Sequence, residues 1–224
     1  MSIFSPYDKP SKQGITKDAP KQGAALFFDV LRREIFNLIK LNLLFILFCI
    51  PVITIPAAMT AMSKILFLML KDKPHELWGD FFECFKKEFL RSLAVGFAIF
   101  ILIGISVFSF YFYSMAMQSP AFSLILRAVL VALMAAFLIA AFYAFPLIAL
   151  TDLPVKHIVK NAFLLTALML PKNLLALTLF VLLWFIALLF YPYSLALVLI
   201  IFFSLSGLIT SFNSLGGIHK YIIK

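Results

Sequence analysis

The chain has 224 residues, 64% of them hydrophobic and 13% charged, with a formal net charge of +9. Soluble domains carry about 25% charged residues, so a water-soluble globule is excluded. The apolar runs are continuous rather than alternating, which excludes a transmembrane barrel and points to membrane-spanning helices. The expected fold is an all-α polytopic helical bundle, with about six transmembrane helices arranged as hairpins and interfacial amphipathic helices beside them. The two cysteines, Cys49 and Cys84, are too few and too far apart for a disulfide framework or a zinc site.

Residues 1–23 are polar, with Pro6, Pro10 and Pro20 set among Lys9, Lys12, Lys17 and Lys21. No apolar core follows these charges, so a flexible cytoplasmic tail is expected rather than a signal peptide. The remainder, 24–224, reads as a single transmembrane helical domain. From Ala24 to Lys40 the spacing is helical, with Leu26, Phe27, Val30 and Leu31 opposite Asp29, Arg32, Arg33 and Glu34. A first span is expected over 34–50 and a return over 57–70, because Pro51 and Pro56 in PVITIP end or kink a helix. The return arm rises only about 21 Å against a core about 30 Å thick. It is therefore expected to tilt, to re-enter or to be shielded by neighbouring helices.

Beyond Lys71, Trp78, Phe81, Phe82, Phe85 and Phe89 recur at helical spacing, while Asp80, Glu83, Lys87 and Arg91 take other faces. This predicts an interfacial helix over 76–91 with Glu83 and Lys87 as an i, i+4 pair. Further spans are expected over 93–117, over 121–150 with a kink at Pro146, and over 174–190 and 194–212. Tyr191-Pro192-Tyr193 reads as a turn at headgroup depth. A second shallow helix is expected over 155–170. A basic surface helix thus precedes a hairpin three times, around 26–36, 76–91 and 155–170, without a residue-by-residue match among the three.

Between Arg91 and Lys220 the charged side chains are Arg127, Asp152, Lys156, Lys160 and Lys172 alone. Placing both termini in the cytoplasm puts nearly all basic segments inside, as the positive-inside rule requires. The charge then suits anionic lipid, and no nucleic-acid partner is expected.

Ionisable groups at membrane depth are costly and mark transport paths. The polar intramembrane candidates are Lys40, Asn42 and Lys64. The lysines either line a polar cavity or, preferably, snorkel to the inner interface, while Asn42 and Asn37 serve as inter-helix hydrogen-bonding groups. Pro51, Thr54 and Pro56 form the candidate structural turn, expected at the outer interface beneath Tyr191 and Tyr193 in an accessory protein, or facing a water-filled cavity with the backbone of Val52 to Ile55 in a conduit. Trp78, Phe81, Phe82, Phe85 and Phe89 form the candidate face for docking a partner or the membrane. His75, His157 and His219 lack metal-ligand spacing, Asp80, Glu83 and Glu88 read as a solvated helix face, and no phosphate loop or nucleophile elbow is present. No catalytic residue, cofactor or metal site is expected.

At 37–60, NLIKLNLLFILFCIPVITIPAAMT, and at 78–91, WGDFFECFKKEFLR, the chain resembles the YesL family of bacterial membrane proteins. That family shows an LN-L-L stretch running into a P-[IV]-[IV]-T-[IV] turn and later an F-F-x-x-F-K segment. Leu41, Asn42, Leu43, Pro51, Thr54, Ala57, Phe81, Phe82, Phe85 and Lys86 fit it, while Pro56 stands where a glycine-containing turn is common. Past residue 100 only length, hydrophobic spacing and the proline-bearing connection at 151–173 agree. The family has no established activity, so no catalytic residue carries over. The resemblance implies an association with carbohydrate-uptake loci beside ABC-type sugar importers. The expected function is therefore that of a non-enzymatic accessory component of carbohydrate uptake, with the lipid bilayer and ABC importer subunits as partners. The alternative is a small permease in its own right, alone or as a homo-oligomer.

Overall fold

The computed structural model describes residues 23–116 and 120–222. The expected polar tail, up to residue 22, lies outside them. In chain order the elements are α1 (Ala24–Arg33), α2 (Ile35–Cys49), a 3-10 turn at Val52–Thr54, α3 (Ile55–Leu70), α4 (Leu77–Lys87), α5 (Phe89–Ala116) and α6 (Pro120–Leu150). Then come α7 (Val155–Leu168), α8 (Leu170–Leu189), α9 (Ser194–Leu197), a π-helical turn at Val198–Phe202, and α10 (Phe203–Tyr221). Five stretches among the described residues are long and apolar enough to cross a membrane: Val52–Leu70, Phe89–Met115, Phe122–Leu150, Leu170–Leu189 and Ser194–Ile218. The chain is an all-α, multi-pass membrane protein. The expected first span is present as α2, but its 15 residues fall short of a crossing. Pro146 lies within a continuous α6.

The arm expected to be tilted, re-entrant or shielded is shielded. Val52–Leu70 is 67% buried inside the molecule, against 11–33% for the other four stretches. α3 packs on α2, α4, α5, α6 and α10. Ala57, Ala58 and Ala61 give it a slim profile, so neighbouring backbones come close. Its hydroxyls are internally satisfied: Thr60 donates to the Pro56 carbonyl (3.1 Å), Ser63 to that of Met59 (2.8 Å), and Ser92 of α5 to the Thr60 oxygen (2.8 Å).

The threefold regularity is a structural unit. α4 packs along α3 and α7 along α6. α1, α4 and α7 each bend into the following span at a single residue: Glu34 (φ −103, ψ 15), Glu88 (φ −100, ψ 9) and Met169 (φ −114, ψ 30). Each junction N–H donates to the carbonyl four residues earlier, in Val30, Cys84 and Leu165. Each junction carbonyl accepts from the residue four later, Leu38, Ser92 and Asn173. Each junction residue thus keeps both of its own helical hydrogen bonds while the helix axis changes direction. All six flanking residues are at most 2% exposed, so each elbow is seated in the interior. The continuous helices expected over 24–40, 76–91 and 155–170 are broken for this reason.

A sequence match accompanies the unit. Leu70-Lys71-Asp72-Lys73-Pro74 and Leu150-Thr151-Asp152-Leu153-Pro154 share L-x-D-x-P after α3 and α6, and basic–acidic pairs, Arg33-Glu34 and Lys87-Glu88, mark the first two junctions. The loop backbones differ. Asp72 adopts a left-handed conformation (φ 51), and the Lys73 and Asp72 N–H groups close a Schellman cap on Leu68 and Met69. At the end of α6, the Thr151 side chain instead bonds the Leu147 carbonyl (2.6 Å).

Close packing makes one glycine far less replaceable than another. A Cβ on Gly96 would stand 2.5 Å from Cβ and Cγ of Pro56, a ring that cannot turn aside. At Gly207 it would meet the ends of the flexible Met62 and Leu66 side chains at 2.8 and 2.9 Å. Gly96→Ala is expected to cost about 1–3 kcal/mol and Gly207→Ala less than about 1 kcal/mol, read as thermal midpoints in detergent. Equal shifts would show that the proline contact is not the constraint.

Candidate functional site

At the start of α4 the Asp80 carboxylate reaches back one turn to accept the Glu76 backbone N–H at 2.8 Å. One face turns inward. Phe81 and Phe85 pack on Phe48 of α2, with ring centroids 5.3 and 4.9 Å apart, and Phe85 meets Phe89 at 5.6 Å. Cys84 is buried between them, and that burial pushes its thiol up to about 12, so it is no thiolate at neutral pH. The outer side of α4 carries a stripe four residues apart, Trp78 (65% exposed), Phe82 (43%) and Lys86, of which Phe82 also reaches Phe48 at a centroid distance of 6.1 Å. The Lys86 ammonium sits 4.2 Å from the Phe82 ring centroid.

The five aromatics expected on one docking face thus divide. Trp78 faces outward, Phe82 sits at the edge with its ring partly exposed yet within reach of Phe48, and Phe81, Phe85 and Phe89 are packed into the molecule. The acidic residues divide as well. Glu83 is exposed, but Asp80 and Glu88 are 8% and 4% exposed rather than on a solvated face.

Glu88 is held by the Arg91 guanidinium at 2.5 Å, and Arg91 also donates to the Thr151 carbonyl (3.1 Å) and to that of Leu153. Lys87 reaches Asp152 at 3.2 Å rather than forming the expected helix pair with Glu83, and this hydrogen bond raises its pKa. The first junction repeats the pattern. Arg33 pairs with Asp72 (3.1 Å) and donates to the Met69 carbonyl, Asn37 donates to Glu34 (2.7 Å), and the His75 ring lies 3.9 Å from Glu34. In both cases the junction is tied to the loop that follows its own hairpin. The Arg–Glu–Asp sets were not anticipated, although the paired L-x-D-x-P loops carry their signal.

The polar intramembrane candidates do not converge. Lys40 is exposed and Lys64 half-buried, while Asn42 is fully buried. Asn42 donates to the carbonyls of Val198 (3.2 Å) and Leu199 (2.7 Å) and accepts the Ser204 N–H (3.0 Å). It satisfies backbone groups around the π-helical turn, where the α-helical ladder is interrupted. Between the lysines and the PVITIP turn lie Leu41, Leu44, Phe45, Ala58, Ala61 and Met62, all buried in one apolar cluster. Asn173, Tyr143 and Asn213 form a second polar cluster. The Asn173 carbonyl accepts from Tyr143 (2.5 Å) and Asn213 (2.8 Å), and its amide donates to the Leu165 and Thr166 carbonyls.

At the turn, the Thr54 hydroxyl lies 2.5 Å from the carbonyls of both Phe48 and Pro51, and Pro56 is buried against Gly96. The expected cover by Tyr191 and Tyr193 is not formed. Ile50, Val52 and Ile53 are exposed at the tip, as are both tyrosines.

A shallow apolar groove of about 340 Å³ runs along α8, lined by Leu177, Thr178, Val181, Leu182 and Phe185. Among the described residues, no three His, Cys, Asp or Glu side chains are placed to hold a metal ion.

No curated protein and no solved structure matches the chain. Residues 38–110, from α2 through most of α5, match the model of the family described as "Protein of unknown function, DUF624", which is the YesL-like family that the motifs resemble.

Proposed function

We propose that the protein is a non-enzymatic accessory component of bacterial carbohydrate uptake, docking on an ABC-type sugar importer from the cytoplasmic side of the membrane. The observation that carries this reading is the outward stripe Trp78–Phe82–Lys86 on a helix whose other face is locked into the fold. Exposed Trp is among the residues enriched at interface anchors. The link to sugar uptake rests on the family resemblance. The permease alternative needs a polar path, and the interior between the turn, Lys40 and Lys64 argues against it, being filled by aliphatic and aromatic side chains.

The test is co-purification in mild detergent. A stoichiometric importer permease or ATPase subunit supports the proposal, and a lone homo-oligomer supports the alternative. Trp78→Ser with Phe82→Ser is expected to weaken that association by about 30-fold, corresponding to about 2 kcal/mol at an anchor site. Phe81→Ser is instead expected to destabilise the fold by about 3 kcal/mol or more, since Phe81 is fully buried. Unchanged importer recovery with the double substitution would remove the docking role.

A further inference from the structure

Lys40 and Lys64 stand on the two arms of the α2–α3 hairpin, each twelve residues from Val52 at the tip. At 1.5 Å per residue, the tip lies about 18 Å beyond the level of these lysines. Other charges share that level. Ser92 bonds Thr60 and Gly96 abuts Pro56, so antiparallel α5 brings Glu88 and Arg91 opposite the stretch Ala61–Lys64. Arg91 and Lys87 in turn reach Thr151 and Asp152 at the end of α6. These groups mark one boundary of the hydrocarbon.

The other boundary is marked as well. From Thr151 back to Arg127, whose guanidinium folds onto Ser123, α6 rises about 36 Å. The 20 residues of α8 rise about 30 Å to Tyr191 and Tyr193. Both distances cross a core about 30 Å thick, whereas the α2–α3 tip stops about 12 Å short of the far side. Val52–Leu70 is long enough by residue count, but its last turns, beyond Lys64, run beside α4 on the near side of the charged level.

The tip is built for that depth. No charged residue occurs between Lys40 and Lys64, and Ile50, Val52 and Ile53 are 73%, 76% and 56% exposed. Each unsatisfied backbone group in hydrocarbon is costly, so a turn at that depth is favoured by few free polar groups and by cover from its own side chains. Here Pro51 and Pro56 bring no N–H, the Thr54 hydroxyl covers the Phe48 and Pro51 carbonyls, and the Thr54 N–H bonds Pro51 at 2.9 Å. The turn that does reach an interface, Tyr191-Pro192-Tyr193, carries phenolic hydroxyls instead.

We infer that α2 and α3 form a re-entrant hairpin whose apolar tip, Ile50 to Ile53, ends within the bilayer and contacts lipid acyl chains. The chain then crosses the membrane four times, through α5, α6, α8 and α9–α10, with α2–α3 entering and leaving on one side.

The test uses full-length protein in native membranes, with Cys49→Ala and Cys84→Ala and single cysteines at Val52, Ile53 or Tyr193. A membrane-impermeant maleimide is applied to intact cells and to inverted vesicles. Val52→Cys and Ile53→Cys are expected to react at least about tenfold more slowly than Tyr193→Cys from either face, because the core holds no water. A nitroxide on Val52→Cys should collide readily with oxygen and poorly with a polar nickel chelate. Labelling comparable to Tyr193→Cys from the outer face would make the hairpin a pair of full spans. Labelling from the inner face would place the tip in an aqueous cavity. Protection from both oxygen and chelate would mean that protein covers it. Each of these three results overturns the proposal. A chain with Cys84→Ala alone, probed at the native Cys49, serves as the check that the substituted chains keep the same topology.

Discussion

Arg91→Leu is expected to lower stability by about 3–5 kcal/mol, since it strands a buried carboxylate. Glu88 is 4% exposed, and Arg91 is its closest counter-ion at 2.5 Å, with Lys87 at 3.7 Å. The same guanidinium holds the Thr151 and Leu153 carbonyls, so its loss also frees the connection between α6 and α7. Leucine replaces the bulk of the stem but none of these bonds. Removing the carboxylate together with the arginine removes most of the penalty, so Glu88→Gln with Arg91→Leu is expected to recover about half of the loss or more. Lys87→Ala is expected to cost less than about 1 kcal/mol, because both Lys87 and Asp152 are largely exposed. Equilibrium unfolding in mixed detergent micelles measures all three. A loss below about 1 kcal/mol for Arg91→Leu would show that water, not Arg91, stabilises Glu88.

The helices themselves were legible because their signal is long. Runs of apolar residues about 20 long have one physical solution in a bilayer, although the last helix runs to Tyr221, nine residues past the expected end at 212. Side-chain direction on α4 was less legible. Phe81, Phe82 and Phe85 are equally hydrophobic, and periodicity separates two faces of a helix without saying which face meets protein. Phe48 on α2 gathers the rings of Phe81, Phe85 and, at the edge, Phe82, a contact that periodicity along α4 alone does not reveal. The elbows at Glu34 and Glu88 left no mark, because the junction residue keeps its own helical hydrogen bonds and neither proline nor glycine stands within four residues of it, whereas the elbow at Met169 is signalled by Pro171 in the first turn of α8. Asp80 and Glu88 were misread for a related reason: a charged residue looks solvated until its buried partner, a backbone N–H or Arg91, is in view.

The three elbows suggest how one unit serves three times with different chemistry. Each must be fastened to the part of the chain that follows its own hairpin, or the short helix would swing free. The first is fastened by Arg33 to Asp72, the second by Lys87 and Arg91 to the loop at 151–153. Both fastenings are ionic and include exposed partners, Asp72 and Asp152. The third elbow has methionine at the junction and lies among apolar residues. A neutral amide replaces the ion pair there, since an unpaired charge would be far costlier in such surroundings.

That substitution makes Asn173 the third unit's counterpart of Arg91. It is fully buried, four residues past the junction, and its side chain makes four hydrogen bonds that join α7, α6 and α10. Asn173→Leu keeps the volume but leaves the Tyr143 hydroxyl and the Asn213 amide without this acceptor, and the Leu165 and Thr166 carbonyls without this donor. Hydrogen bonds between membrane helices average only about 0.6 kcal/mol, because the unfolded helices find other partners. Buried groups left unmade cost about 1–3 kcal/mol each. With Asn173 wholly enclosed, the second figure governs, and Asn173→Leu is expected to cost about 2–4 kcal/mol. Tyr143→Phe, which removes the donor to Asn173 and only a long 3.4 Å acceptor contact from Asn213, is expected to cost about 1 kcal/mol, with Asn213→Leu between the two. Unfolding of the three variants in the same micelles should reproduce that order. If Asn173→Leu were no worse than Tyr143→Phe, the amide would be an ordinary packing residue and the third elbow would be held by apolar contact alone.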